Sequence, residues 1–209
     1  MVRILIADDH TIVRRGLIEI LKGELRAAAY GEAESADQVM AQVGNHEWDL
    51  VILDVSMPGR SGIDVLVDLK RLKPKLPVLV LSMHPEDQFG KRMLKIGASG
   101  YLTKDSAAEE LLKAIRKILE GGHYVSPALA EVLAVDLAGA DQPLHEKLSP
   151  RELEVLRMIG AGKTNSQIAD MLHLSATTVS TYRARILEKM EMATSAELMN
   201  YALRNQLVE

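Results

Sequence analysis

Asp8 and Asp9 side by side, a third acid at Asp54, a hydroxyl at Ser82 and an ammonium at Lys104 are the residues of this sequence best placed for chemistry. Each follows a short, strand-like run. Ile4-Leu5-Ile6-Ala7 ends on the acidic pair, Leu50-Val51-Ile52-Leu53 on Asp54, Val78-Leu79-Val80-Leu81 on Ser82, and Gly100-Tyr101-Leu102-Thr103 on Lys104. Runs such as Leu50 to Leu53 do not alternate as a half-exposed strand would, and read as strands buried on both faces, the habit of parallel sheets. In an open α/β sheet, ligands bind outside the carboxyl ends of the strands. One acid at one strand end could equally cap the following loop; its companions point to chemistry centred on Asp54. Three carboxylates repel one another unless a divalent cation lies among them, and hard oxygen ligands suit Mg2+. His10, next to the pair, reads as the start of a helix, because Mg2+ prefers oxygen.

The elements that must position these groups alternate along the chain. Ile12, Val13, Leu17, Ile20 and Leu21 make a helical stripe over 10–22, with Gly23 as its stop. A weaker strand is expected over 27–32 and a helix over 35–43 with Ser35 as N-cap. After the Asp54 strand, Met57-Pro58-Gly59 supplies a turn. Helices are expected over 62–72, 87–96 and 107–119, closed by Lys73-Pro74, Gly97 and Gly121-Gly122. Five strands alternating with five helices predict a doubly wound parallel sheet over 1–122, with right-handed crossovers. Residues 123–147 read as a linker that is partly helical: Ser126-Pro127 opens a helix to about 137, and Gly139 to Pro143 carries the boundary.

From Leu148 the pattern is all helical. Ser149-Pro150-Arg151-Glu152 has the form of a capping box with Pro at the first helical position. Asn165 is read as the cap of 166–172, His173-Leu174-Ser175 as a tight turn, and Ser175 as the cap of a helix over 177–190, followed by a last helix over 196–205. Two short helices across such a turn, the second carrying Arg on its exposed side, form a helix-turn-helix. Val179, Ile186 and Leu187 face its core; Arg183, Arg185 and Lys189 are the candidate contacts to DNA.

Composition narrows the classes. The formal net charge is -4, yet residues 148–209 hold seven basic and seven acidic side chains, so DNA binding rests on local placement of charge rather than on a basic domain. Aromatics at 3% argue against a stacking platform for single strands. No cysteine is present, which removes disulfides, thiolate metal sites and a thiol nucleophile. No run approaches the roughly 18 apolar residues of a membrane span, and Met1-Val2-Arg3-Ile4 leads directly into a strand without a signal-peptide layout; the expectation is a cytoplasmic protein that does not engage a membrane.

These residues in this order resemble the two-component response regulators of the NarL/FixJ family, a flavodoxin-like receiver followed by a LuxR-type helix-turn-helix. The likeness covers about 1–121 and 146–208. It implies that Asp54 is the phosphoacceptor, and that Asp9, Asp54 and the backbone carbonyl of Ser56 hold Mg2+, with Asp8 acting through water. It implies that Ser82 and Tyr101 are the switch pair, that Tyr101 turns inward after phosphorylation, and that Lys104 stabilises the transferring oxygens. Leu148 to Glu152 and Thr178-Val179-Ser180-Thr181-Tyr182-Arg183 match as well, the latter resembling the GacA/BvgA branch. Thr178, Ser180, Thr181, Arg183, Arg185 and Lys189 are then the residues expected at DNA. The implied partners are a sensor histidine kinase or phosphotransfer protein, double-stranded promoter DNA and, on activation, a second copy of the chain. The implied protein is a regulator, not an enzyme beyond self-catalysed phosphotransfer and dephosphorylation.

The chain departs from the pattern in three places. Asp105 follows Lys104 where Pro is common, Met83 follows Ser82 where a small residue is usual, and two base-contacting positions fall on the uncharged Ser180 and Ala184. A phosphohydrolase of the haloacid dehalogenase type would need a second acid two residues after its nucleophile, and Ser56 stands there. The other rival is a DNA-binding regulator whose receiver is a docking module indifferent to phosphate.

Overall fold

The computed structural model describes residues 1–57, 60–106, 108–137 and 143–208, in two compact units divided between 137 and 138. In the first unit the strands β1 (Arg3–Ala7), β2 (Ala29–Ala33), β3 (Leu50–Asp54), β4 (Val78–Ser82) and β5 (Gly100–Thr103) form one parallel sheet in the order β2-β1-β3-β4-β5. Between them lie α1 (Thr11–Glu24), α2 (Ala36–Asn45), α3 (Gly62–Leu72) and α4 (Glu86–Ile96), and after them α5 (Ala108–Leu119) and α6 (Pro127–Leu137). No peptide bond is cis among the described residues, so Lys104–Asp105 is trans.

The apolar runs become strands because both faces are covered. Ile4, Ile6, Leu50, Ile52, Leu79 and Leu81 pack with Leu17 and Leu21 of α1 and with Leu111, Ala114, Ile115 and Ile118 of α5. The alternate residues Leu5, Val51, Leu53, Val78, Val80 and Tyr101 are equally buried, on the opposite face as a period of two requires. Ser35 caps α2 as expected, its Oγ accepting from the Gln38 N–H. Gly23 does not end α1, which continues to Glu24 with its closing bond at Leu25. Gly97 closes α4 as expected, in the left-handed conformation at φ 113.

The main correction concerns the linker. Residues 127–137 are helical as expected, but this helix belongs to the first unit and packs on α4. Tyr124 bridges to Gly100 of β5, and Leu129 is fully buried against Gly90, where an added Cβ would lie 2.8 Å from a Leu129 methyl. Leu129 and Tyr124 decide the matter: both need an apolar surface, and α4 and β5 supply it. The connecting role is thus left to about 138–147, of which 144–147 is a turn of 3-10 helix and 138–142 lie outside the described residues. Part of the Met57-Pro58-Gly59 turn lies outside them too.

The second unit packs α7 (Pro150–Gly160), α8 (Asn165–Leu172), α9 (Ala176–Lys189) and α10 (Ser195–Arg204) around Leu153, Leu156, Ile168, Leu172, Val179, Ile186, Leu198 and Ala202. The capping box at Ser149 and Glu152 forms as read, and Ser175 caps α9. For α8 the cap is Thr164, not Asn165, in a reciprocal box with Gln167; α10 starts likewise from Thr194 and Glu197. Leu187 is only half-buried, so Val179 and Ile186 carry the hold of α9 on its core.

Candidate phosphoacceptor site and helix-turn-helix face

A strand order of 2-1-3-4-5 reverses between β1 and β3, and the crevice of such a sheet opens at the carboxyl ends of those two strands. Asp8 and Asp9 follow β1, and Asp54 closes β3. Asp8 and Asp54 are almost fully buried, and Asp9 is half-buried. Lys104, just after β5, reaches back across β4 to place its Nζ 2.7 Å from Asp8 Oδ2 and 2.8 Å from Asp54 Oδ2. The sequence separations of 96 and 50 residues collapse into one cluster because the parallel register brings every strand end to one edge.

The backbone sets the rest of the cup. Asp54 Oδ1 accepts from the Ser56 N–H at 3.0 Å, and Asp8 Oδ1 from the His10 N–H at 2.8 Å. Gly62 lets α3 start against the strand end: a Cβ there would lie 2.1 Å from the Asp54 carbonyl oxygen. Burial pushes the Asp54 carboxyl above its ordinary range, and bonds from Lys104 and Ser56 pull it only part of the way back. Burial would lower the Lys104 ammonium, but its bonds to Asp54 and Asp8 outweigh that and raise it. Both partners move upward because one cation serves two buried carboxylates. The acid is therefore under-compensated while the ammonium is over-compensated.

The donor set fits a hard cation. Oxygens of Asp8, Asp9 and Asp54 and a ring nitrogen of His10 all lie within 4.8 Å of one another. Asp9 Oδ1 is buried and has no hydrogen-bond partner among the described residues, although His10 Nδ1 stands 2.9 Å away. Such an oxygen is uncomfortable unless a cation takes it. Both oxygens of Asp8 already accept bonds from protein groups, which leaves Asp9 the freer ligand of the pair. His10 occupies the N-cap position of α1 without capping it by its side chain.

Ser82 is fully buried at the end of β4, one residue beyond Leu81, which pairs with Asp54. Its Oγ accepts from the His84 N–H at 3.0 Å and so belongs to its own loop. Tyr101 is completely buried and its hydroxyl donates to the His84 carbonyl at 2.8 Å. The inward position expected to follow phosphorylation is therefore already taken up, because this hydroxyl finds its acceptor within the core edge. Met83 is 71% exposed.

In the second unit, Thr177, Thr178, Thr181, Tyr182 and Arg185 line one shallow depression on α9. Arg183, two residues from Arg185, lies in another with Lys163, Thr164, Asn165 and Ser195. The two arginines thus serve different sides, and Lys163, which the sequence reading passed over, joins Arg183 at the start of α8. Ser180 accepts from Asn165 Nδ2 at 3.1 Å and donates to the Ala176 carbonyl, while the Thr181 hydroxyl donates to Thr177. Lys189 differs from the expectation: its Nζ donates to Glu152 Oε2 at 2.7 Å, tying α9 to the first turn of α7. Burial opposes the Glu152 charge, but the bonds from Lys189 and Ser149 hold its pKa below the ordinary value.

Fold and site together define a receiver-type α/β domain with an acidic pocket, joined to a helix-turn-helix unit. Residues 4–116 match the response regulator receiver domain, and residues 146–202 match the bacterial regulatory proteins of the luxR family. The chain belongs to the two-component response regulators that combine these two modules, the NarL/FixJ family. It is 34% identical over 212 residues to the response regulator GacA of Pseudomonas aeruginosa, spanning 100% of this chain and 99% of that one. It is 30% identical over 210 residues to the response regulator UvrY of Escherichia coli, spanning 99% and 96%. A structure of RcsB from Salmonella enterica serovar Typhimurium, bound to promoter P1flhDC in the presence of phosphomimetic BeF3-, is 28% identical with a TM-score of 0.67, covering 96% of this chain and 97% of that one. Among the described residues no helix is long and apolar enough to cross a membrane.

Proposed function

We propose that Asp54 accepts a phosphoryl group from a sensor histidine kinase or a phosphotransfer protein, and that this modification controls self-association and promoter binding by the helix-turn-helix unit. The observation that carries the reading is the Lys104 ammonium bonded at once to Asp8 and Asp54 in the crevice of a parallel sheet. A carboxylate oxygen of Asp54 forms the new O–P bond as the bond from phosphorus to the donor's histidine nitrogen breaks; the freed imidazole takes up a proton from solvent. Lys104 favours the ionised, nucleophilic form of Asp54 against its burial and is placed to meet the charge on the transferring oxygens. Asp9, Asp54 and the Ser56 carbonyl are the proposed Mg2+ ligands, with Asp8 behind them; the bound ion supplies charge neutralisation for phosphoryl transfer.

The new phosphoryl oxygens accept a hydrogen bond from the Ser82 hydroxyl and draw its Oγ away from the His84 N–H that it now accepts from. Because Tyr101 holds the same residue by its carbonyl, a shift of Ser82 is felt through 82–86 at the head of α4. The surfaces 87–95 and 100–106 are the ones placed to respond. They carry α6 with them, which bears on dimerisation: part of α4 is already covered by Leu129. At DNA, we assign Thr178, Thr181 and Arg185 to the groove face of α9 and Arg183 to a phosphate contact, with Ser180 at the edge between them. The structures of RcsB in complex with DNA support DNA binding as the role of this unit. Regulation of transcription, rather than turnover of a substrate, is the output, and the cytoplasm is the compartment where kinase, donor and promoter meet.

The test is gel filtration and mobility shift on a DNA pool selected with the protein, with and without Mg2+ and acetyl phosphate, for wild type and Asp54→Asn. A phosphodonor-dependent change in both readouts, in wild type only, is expected. Equal binding by both proteins under every condition would replace the switch with a docking receiver and constitutive DNA binding.

A further inference from the structure

Arg14 projects from the first turns of α1 and is 6% exposed, an unusual place for a guanidinium without an anionic ligand. Its Nη1 donates to the backbone carbonyl of Asp8 at 2.7 Å, its Nε to Glu32 Oε2 on β2 at 2.9 Å, and its Nη2 to the Thr11 hydroxyl at 3.4 Å. Glu34 lies 3.9 Å from Nη2. The Asp8 residue is thereby gripped from two sides, since its N–H donates to the Ala33 carbonyl at 3.1 Å.

We propose that Arg14 is a positioning residue for the acidic pair: it fixes the peptide between Asp8 and Asp9, and with it the direction in which Asp9 presents its buried carboxylate oxygen. The inference rests on the metal-dependent phosphoryl-transfer reading above. Two cations stand near the acids and do different work. Lys104 bonds directly to the carboxylate oxygens of Asp8 and Asp54. Arg14 bonds to the main chain and to Glu32, so it adds positive charge beside the pocket without using up an oxygen that a cation needs. Without it, the buried Asp8 carbonyl loses its donor, and the peptide rotates toward another donor or toward water. Rotation of that peptide swings the Asp9 carboxylate, because the peptide plane ends on the Asp9 Cα from which that side chain branches.

Groups that hold a metal ligand in place typically change metal affinity by about 10- to 100-fold when removed. Lysine offers a point charge without the planar fork and can serve the Asp8 carbonyl or Glu32, not both in the same geometry. The experiment is titration of the full chain with Mn2+, followed by electron paramagnetic resonance of the free ion, and with Mg2+ by calorimetry. Wild type, Arg14→Lys and Arg14→Ala are compared, with unfolding midpoints measured alongside. Expected are a loss of cation affinity of about tenfold or more in Arg14→Ala and an intermediate loss in Arg14→Lys. Affinities within about twofold of wild type in both variants, whatever happens to the midpoints, would overturn the proposal and leave Arg14 a purely structural bridge. If Arg14→Ala does not fold, Arg14→Lys decides alone by the same criterion. A wild type that binds neither ion overturns the metal reading itself, an outcome distinct from equal binding by all three chains.

Discussion

Asp54→Asn should make the first unit more stable, not less. Asp54 is buried, and the expulsion of its charge from water outweighs what Lys104 and Ser56 return. Its folded pKa is therefore raised. A raised acid binds its proton more tightly when folded, so its contribution is full below the unfolded carboxylate value and is lost as pH rises through the folded one. At neutral pH the wild type carries that loss and the Asp54→Asn variant does not. The substitution keeps an acceptor for the Ser56 N–H, gives up the Lys104 bond to Oδ2, and relieves repulsion with Asp8; Lys104 retains Asp8 at 2.7 Å. Buried charges are penalised by several kcal/mol and a charged hydrogen bond returns about 1.5–3, so the net gain is about 1 kcal/mol. For a unit of this size that is about 4 °C. Trp48 is the only tryptophan and lies in the first unit, so its fluorescence during urea unfolding in EDTA reports that unit alone. The gap between variant and wild type should open from acid to neutral pH. A gap that is absent, reversed or flat with pH would refute the reasoning. Lys104→Met supplies the opposite sign, because it strands two buried carboxylates: a loss of about 3 kcal/mol is expected by the same assay.

In the second unit, Lys189→Ala should lower stability by less than about 1 kcal/mol, its partner bond being partly exposed, and leave the salt dependence of DNA binding unchanged. Arg183→Ala, in contrast, should flatten the slope of log affinity against log salt by about one; equal slopes in mobility-shift titrations would count against a phosphate contact. Leu129→Ala should destabilise the first unit by about 2–4 kcal/mol and free α6 to proteolysis, whereas a loose linker would tolerate it without effect on the Trp48 transition. Burial and the bond to Glu110 push the Tyr124 hydroxyl up to about 12. Stability from that group is complete below pH 10 and fades as pH rises toward 12; ultraviolet titration of Tyr124→Phe should lack this late-ionising phenol.

The reach of the sequence can be seen in particular residues. Asp8, Asp9, Asp54, Ser82 and Lys104 were legible because each ends an apolar run, and runs buried on both faces commit the chain to a parallel sheet whose ends share an edge. Arg14 was not legible: it stands in a helical stripe beside Arg15, and only the neighbouring edge strand with Glu32 makes one of the two a buried bridge. Arg183 and Arg185 line different depressions, since residues two apart on a helix do not share a face. Lys189 was taken for a DNA contact because nothing local to α9 reveals that the Glu152 of a capping box, 37 residues earlier, lies within reach.

What the sequence by itself determined is the set of elements and the chemistry at their ends: strand or helix follows from hydrophobic period and from caps such as Ser35, Ser149 and Ser175, all local in origin. Tertiary structure alone decided which side chains spend their bonds on one another. It placed α6 on α4 because Leu129 needed the space beside Gly90. It turned Tyr101 inward onto the His84 carbonyl, and it gave Asp54 a cation it must share with Asp8. Those outcomes depend on competition among groups distant in the chain for a few buried partners, and no local pattern encodes which of them wins.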